Sequence, residues 1–113
     1  MNAFLPRFMF MIALAATVHG QGAKTDLAAM DQANQLYSAK NWSAAAPAFE
    51  AITRAEPDNA LAWLRLGVSR HKLGQYATAV AAYKRIESDP QIGSSALYRE
   101  AASLAKLNRN QEA

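Results

Sequence analysis

Apolar and small residues recur three and four apart through the stretch from Asn59 to Pro90, NALAWLRLGVSRHKLGQYATAVAAYKRIESDP. One set is Leu61, Leu64 and Val68 with Trp63, Leu66 and Gly67; the next is Tyr76, Ala79, Val80, Tyr83 and Ile86. That spacing predicts two amphipathic helices, Ala60 to Leu73 and Tyr76 to Glu87. Gly74 supplies a left-handed residue to close the first helix, and Ser88-Asp89-Pro90 stops the second. Upstream, the same pattern predicts helices over Leu27 to Ala39 and Trp42 to Ala55, with the turn at Lys40-Asn41 and the loop at Glu56-Pro57-Asp58-Asn59. Thr25 or Asp26 caps the first of these, and Asp58 or Asn59 caps the helix at Ala60. Pro47 is tolerable if Ser43 is the cap, because it then sits at the end of the first turn. Downstream, a fifth helix runs from Ser95 to Leu107, and Asn108 to Ala113 read as a turn and the opening of a further helix.

The two hairpins are copies of each other. A shift of 34 residues puts Ala33 on Gly67, Trp42 on Tyr76, Ala45 on Ala79, Phe49 on Tyr83 and Ile52 on Ile86, with Pro57 one residue off Pro90; Ala101 lies 34 after Gly67. Trp63-x-x-Leu66-Gly67, then Ala79-x-x-x-Tyr83, then Pro90 resembles the tetratricopeptide repeat, whose period is also 34. Arg70 and Leu36 depart from that motif where it has Tyr, and Ala29 and Gln32 where it has Trp and Leu. The resemblance implies an all-α fold of antiparallel helix-turn-helix hairpins stacked as a right-handed α-solenoid. Its repeats would cover about 26–59, 60–91 and an incomplete 92–113.

Composition narrows the rest. The chain has 113 residues, about half of them apolar and many of those alanine, which limits it to one small domain held by close helix contact. Without cysteine there is no disulfide framework, thiolate metal site or cysteine nucleophile. The net charge of +3 comes from scattered Lys and Arg, unlike the dense basic face of a nucleic-acid binder.

Residues 1–20 stand apart. Arg7 precedes an uncharged apolar run from Phe8 to Val18, and Val18 and Gly20 provide the small residues of a signal-peptide cleavage site. Eleven residues reach only about 16 Å as a helix, half of what a membrane anchor needs. The expected mature chain starts at Gln21 with a short polar leader, 21–25, ahead of the repeat domain at 26–113, and is periplasmic or secreted, as bacterial export would make it. Leu97, Leu104 and Leu107 on the fifth helix have no following helix to cover them, so the chain reads as a piece of a longer protein or as one whose last face is supplied by a partner or a second copy.

No catalytic constellation is visible, and no cofactor is expected. His71, beside Lys72, reads as a solvated residue easing a helix terminus, and Asp58 and Asp89 as loop and capping residues. The chain is expected to be a binding scaffold for a protein or peptide, not an enzyme; the alternative is an accessory module of a longer exported hydrolase. By resemblance, the first helix of each hairpin lines a concave groove. That aims Met30, Asn34 and Tyr37, then Leu61, Leu64, Val68 and His71, then Tyr98 and Ala102 into it. Arg65 with Arg99, and Lys72 with Lys106, recur at the repeat distance and would pair along one rim. Lysines and asparagines form the family's clamp for a carboxyl-terminal carboxylate; only Asn34 matches here, and Leu64 stands where a lysine would be. The aromatics Trp42, Phe49, Trp63, Tyr76 and Tyr83 read as packing between helices.

Overall fold

The computed structural model describes residues 27–112, which are helices joined by turns and short connecting residues. The signal segment with His19, the leader, the caps at Thr25 or Asp26, and Ala113 lie outside the described residues. Five helices follow in order: α1 Leu27–Ser38, α2 Trp42–Ala55, α3 Ala60–Lys72, α4 Tyr76–Lys84 and α5 Gly93–Glu112. Each packs on the next, and α3 also touches α5, so the chain is a stack of antiparallel hairpins.

The 34-residue register is a packing register. Ala33, Ala45, Phe49 and Ile52 are buried in one cluster with Ala62, Leu66 and Ala82. Their counterparts Ala79, Tyr83 and Ile86 are buried in a second with Val68 and Ala96, and Gly67 is buried beside them. A methyl group on Gly67 would lie 2.7 Å from Cδ1 and 2.8 Å from Cζ of Tyr83, so only glycine lets the ring come this close.

Both hairpin turns use a left-handed residue at the same place in the register, Lys40 with φ 59° and Gly74 with φ 79°. The amide of Asn41 reaches the Leu36 carbonyl at 2.9 Å, and that of Gln75 reaches Arg70 at 2.8 Å, closing equivalent Schellman turns. Lysine holds this conformation against its side-chain sterics. Lys40→Gly should therefore stabilise the fold by about 1 kcal/mol, seen as a higher urea midpoint at an unchanged slope.

The chain differs from its sequence reading at several boundaries. Asn41, not Ser43, is the residue before α2, which places Pro47 in the second turn, exposed and inside the helix. Asn59 does cap α3, its side chain accepting from the Ala62 amide at 3.1 Å. Helix α4 ends at Lys84, three residues early, because the chain tightens into turns over 85–88. Asp89 belongs to the next helix: its carboxylate accepts from the amides of Gln91 at 2.8 Å and Ile92 at 3.0 Å, and α5 starts at Gly93. Gly93 is needed there, since a side chain would press on the Glu87 carbonyl, whose carbon would lie 3.1 Å from the added Cβ.

The largest difference is at the end. Asn108, 34 residues after Gly74, does not turn; α5 continues through it to Glu112. Ala101 is exposed, although Ala33 and Gly67 at its register position are buried, and Leu97 is 50% and Leu104 39% exposed.

Candidate functional site

Helix α3 carries two working faces. Successive residues turn by about 100°, so Val68 points nearly opposite Leu66. On the side shared with α1 and α5 lie the residues expected in the groove.

At the α1 end, Arg65 donates to the Asn34 side-chain oxygen and lies over the Tyr37 ring, 5.0 Å from its centroid. Arg65 is thus engaged with α1, and it does not line the cavity that Arg99 lines. Tyr37 is itself part of the packing, edge-on to Trp42 at 5.4 Å and Phe49 at 6.0 Å. Met30 and Leu64 likewise pack on the two core clusters and Val68 is buried, so much of the expected apolar floor is core; Leu61 is 38% exposed.

At the α5 end the arrangement is more open. Val68, His71, Lys72, Tyr83, Tyr98, Arg99 and Ala102 surround a cavity of about 150 Å³. Six of these seven were expected there; Tyr83 was read only as packing. It does both, buried to 1% exposure yet lining the cavity wall. Burial pushes its phenol up to about 12, with the Arg99 guanidinium pulling the other way, so it stays neutral. Tyr98 is 80% exposed at the mouth. The ammonium of Lys72 sits 6.0 Å from the Trp42 ring centroid.

His71 is not the solvated helix-end residue its sequence position suggested. Its Nδ1 is 2.8 Å from Ser103 Oγ on α5, and its ring meets Tyr76 edge-on at 5.1 Å. The bridge to Ser103 links α3 to α5. Partial burial first, then the positive charges of Lys72, Lys106 and Arg99, hold its imidazole below the ordinary value. All three cations therefore act on His71. Among the described residues, the carboxylate partners of cations are elsewhere: Glu50 with Arg54 and Arg70, and Glu100 with Lys84. No acidic residue lines the cavity.

One feature escaped the sequence reading. Glu100 is only 7% exposed, its Oε1 has no hydrogen-bond partner, and Lys84 Nζ is 4.0 Å from its Oε2. Burial and then the neighbouring Glu87 carboxyl raise its pKa above the ordinary value of 4.5, with Lys84 opposing. The signal was available, because Glu100 stands 34 residues after Leu66, a core position. A raised carboxyl favours the fold fully below the unfolded value and loses that contribution as pH climbs through the folded one. Glu100→Gln should thus melt a few degrees higher than the parent at pH 7, with the gap shrinking as pH falls toward 4.5. His71 moves stability the other way below its ordinary value of 6.5, but equally in both proteins, so the difference between their melting curves isolates Glu100.

No group of residues able to hold a metal ion occurs among the described residues, and no described helix is long and apolar enough to cross a membrane. No curated protein and no solved structure matched the chain. Residues 30–96 match the family model of the tetratricopeptide repeat, a repeat that suggests a protein–protein interaction module. With that match over more than half its length, and with small and aromatic residues meeting at a 34-residue register, the chain belongs to the tetratricopeptide repeat family.

Proposed function

We propose that the chain is a non-catalytic scaffold that holds a peptide of a protein partner along the face shared by α1, α3 and α5, gripping it at the α5 end. The observation that carries this reading is the α3–α5 cavity. It offers an aromatic wall in Tyr83 and Tyr98, an apolar base in Val68 and Ala102, and Lys72 and Arg99 with no carboxylate between them. A bound segment with one apolar anchor and flanking acidic side chains complements that set, since fixed cations select anionic partners more than they add raw affinity. Arg7 ahead of the Phe8 to Val18 run and the small residues Val18 and Gly20 support export to a periplasm or beyond. The exposed Leu97 and Leu104 on α5 support a second role in self-association.

Selection of random peptides displayed on phage against the purified chain tests the main reading. Enriched sequences should combine an aromatic or aliphatic residue with Asp or Glu, and Lys72→Glu with Arg99→Glu should weaken the best of them at least tenfold without lowering the melting temperature. Undiminished binding by that variant would remove the cavity from the contact.

A further inference from the structure

The opposite face of α3 carries a second cavity, larger than the first and outside the groove. Trp63, Leu66 and Arg70 project there at positions i, i+3 and i+7, between Glu50, Thr53 and Arg54 of α2 and Thr78, Ala81 and Ala82 of α4, with Arg85 just beyond α4. It encloses about 440 Å³, within the range of ligand sites. Three guanidiniums line it against one carboxylate. Glu50 takes Arg70 at 2.9 Å and Arg54 at 3.7 Å, while Arg85 lies over the Trp63 ring, 4.5 Å from its centroid, with no carboxylate of its own among the described residues. Each guanidinium has five N–H donors, so Glu50 leaves most of them unused. The neutral polar groups add no donors: Thr53 and Thr78 give their hydroxyl protons to the Glu50 and Gln75 carbonyls, and the Trp63 indole N–H goes to Pro57. The base, Leu66 and Ala82, is apolar and 3% exposed.

We infer that this face binds an acidic peptide segment of a protein partner, one carboxylate seated between Arg70 and Arg85 and an apolar side chain against Leu66 and the Trp63 ring. Paired guanidiniums on a dry apolar base recognise carboxylates bidentately. An extended chain fits better than a small anion because the cavity adjoins another of about 420 Å³ that shares Arg70 and Thr78 and runs past Tyr76 to Leu107 and Asn110. The inference goes beyond the groove reading and does not rest on it.

The test uses the full chain with Lys72→Gln and Arg99→Gln, which silences the groove, and the blocked peptide acetyl-ELEELE-amide as probe in calorimetry. Binding should persist in that background, fall tenfold or more when Arg85→Gln is added, and weaken steeply with salt. Arg70→Gln should act alike, but it also removes the nearer partner of Glu50; Arg85 stacks on the indole and pairs with no carboxylate among the described residues, which makes Arg85→Gln the cleaner variant. Absence of binding in the groove-silenced chain, indifference to Arg85→Gln, or full displacement of the peptide by millimolar inorganic phosphate would each overturn the inference.

Discussion

Phe49→Ala is expected to cost about 3–5 kcal/mol, enough to leave the domain largely unfolded at physiological temperature. Phe49 is fully buried, and its neighbours are chiefly small: Ala33, Ala45, Ala46, Ala62 and Ala82, with Ile52 and Leu66. A cavity left by a phenyl ring is cheapest where long side chains can swing into it, and alanines have nothing to swing. The loss should therefore sit at the upper end of that range. Tyr37, which meets Phe49 edge-on at 6.0 Å, would lose one of its two edge-on aromatic contacts as well. Chemical denaturation followed by circular dichroism checks this, and Phe49→Leu should recover most of the lost stability because it refills much of the volume.

Gly67→Ala is expected to cost about 2–3 kcal/mol, although alanine is the better helix former by almost 1 kcal/mol. Propensity favours the variant and packing opposes it; packing wins because the added methyl would run into the Tyr83 ring, which is 1% exposed and would have to shift out of its packed position. A domain of this size should melt roughly 10–20 °C lower. The matching change at Gly74 has a different cause: nothing lies within 4 Å of a Cβ there, and only the left-handed backbone resists substitution.

The residues behind these two predictions were legible in the sequence because small and aromatic side chains are rare enough to stand out when they repeat. Gly67 and Ala33 stood out as small residues that recur, and Tyr83 and Phe49 as aromatics that recur; that the Tyr83 ring is what packs on Gly67 is seen only in the fold. Helix ends were less legible. Asp89 does cap, its carboxylate accepting from the amides of Gln91 and Ile92, but the start of α5 at Gly93, two residues ahead of the expected Ser95, did not show in the spacing. At Asn108 the register called for a turn, and local hydrogen bonding kept the helix going.

The site was legible in part. Val68, His71, Lys72, Tyr98, Arg99 and Ala102 come together as the repeat geometry implied. Arg65 does not join them, because Asn34 and the Tyr37 ring, on another helix, offer it a better place. Nor could spacing alone show that His71 would find Ser103, 32 residues away across a hairpin. The arginine-lined cavity was invisible for the same reason: Arg54, Arg70 and Arg85 sit on three separate segments, and none marks its neighbours in the linear chain.

A double-mutant cycle of Gly67→Ala and Tyr83→Leu measures most directly whether hairpins are held together by a small residue meeting a ring at the repeat distance. If they are, the loss caused by Gly67→Ala will shrink by about 1–3 kcal/mol once leucine replaces the ring, a coupling typical of side chains in direct contact. Losses that add to within about 0.5 kcal/mol would mean that the two positions do not touch, and the stacking described here would be wrong.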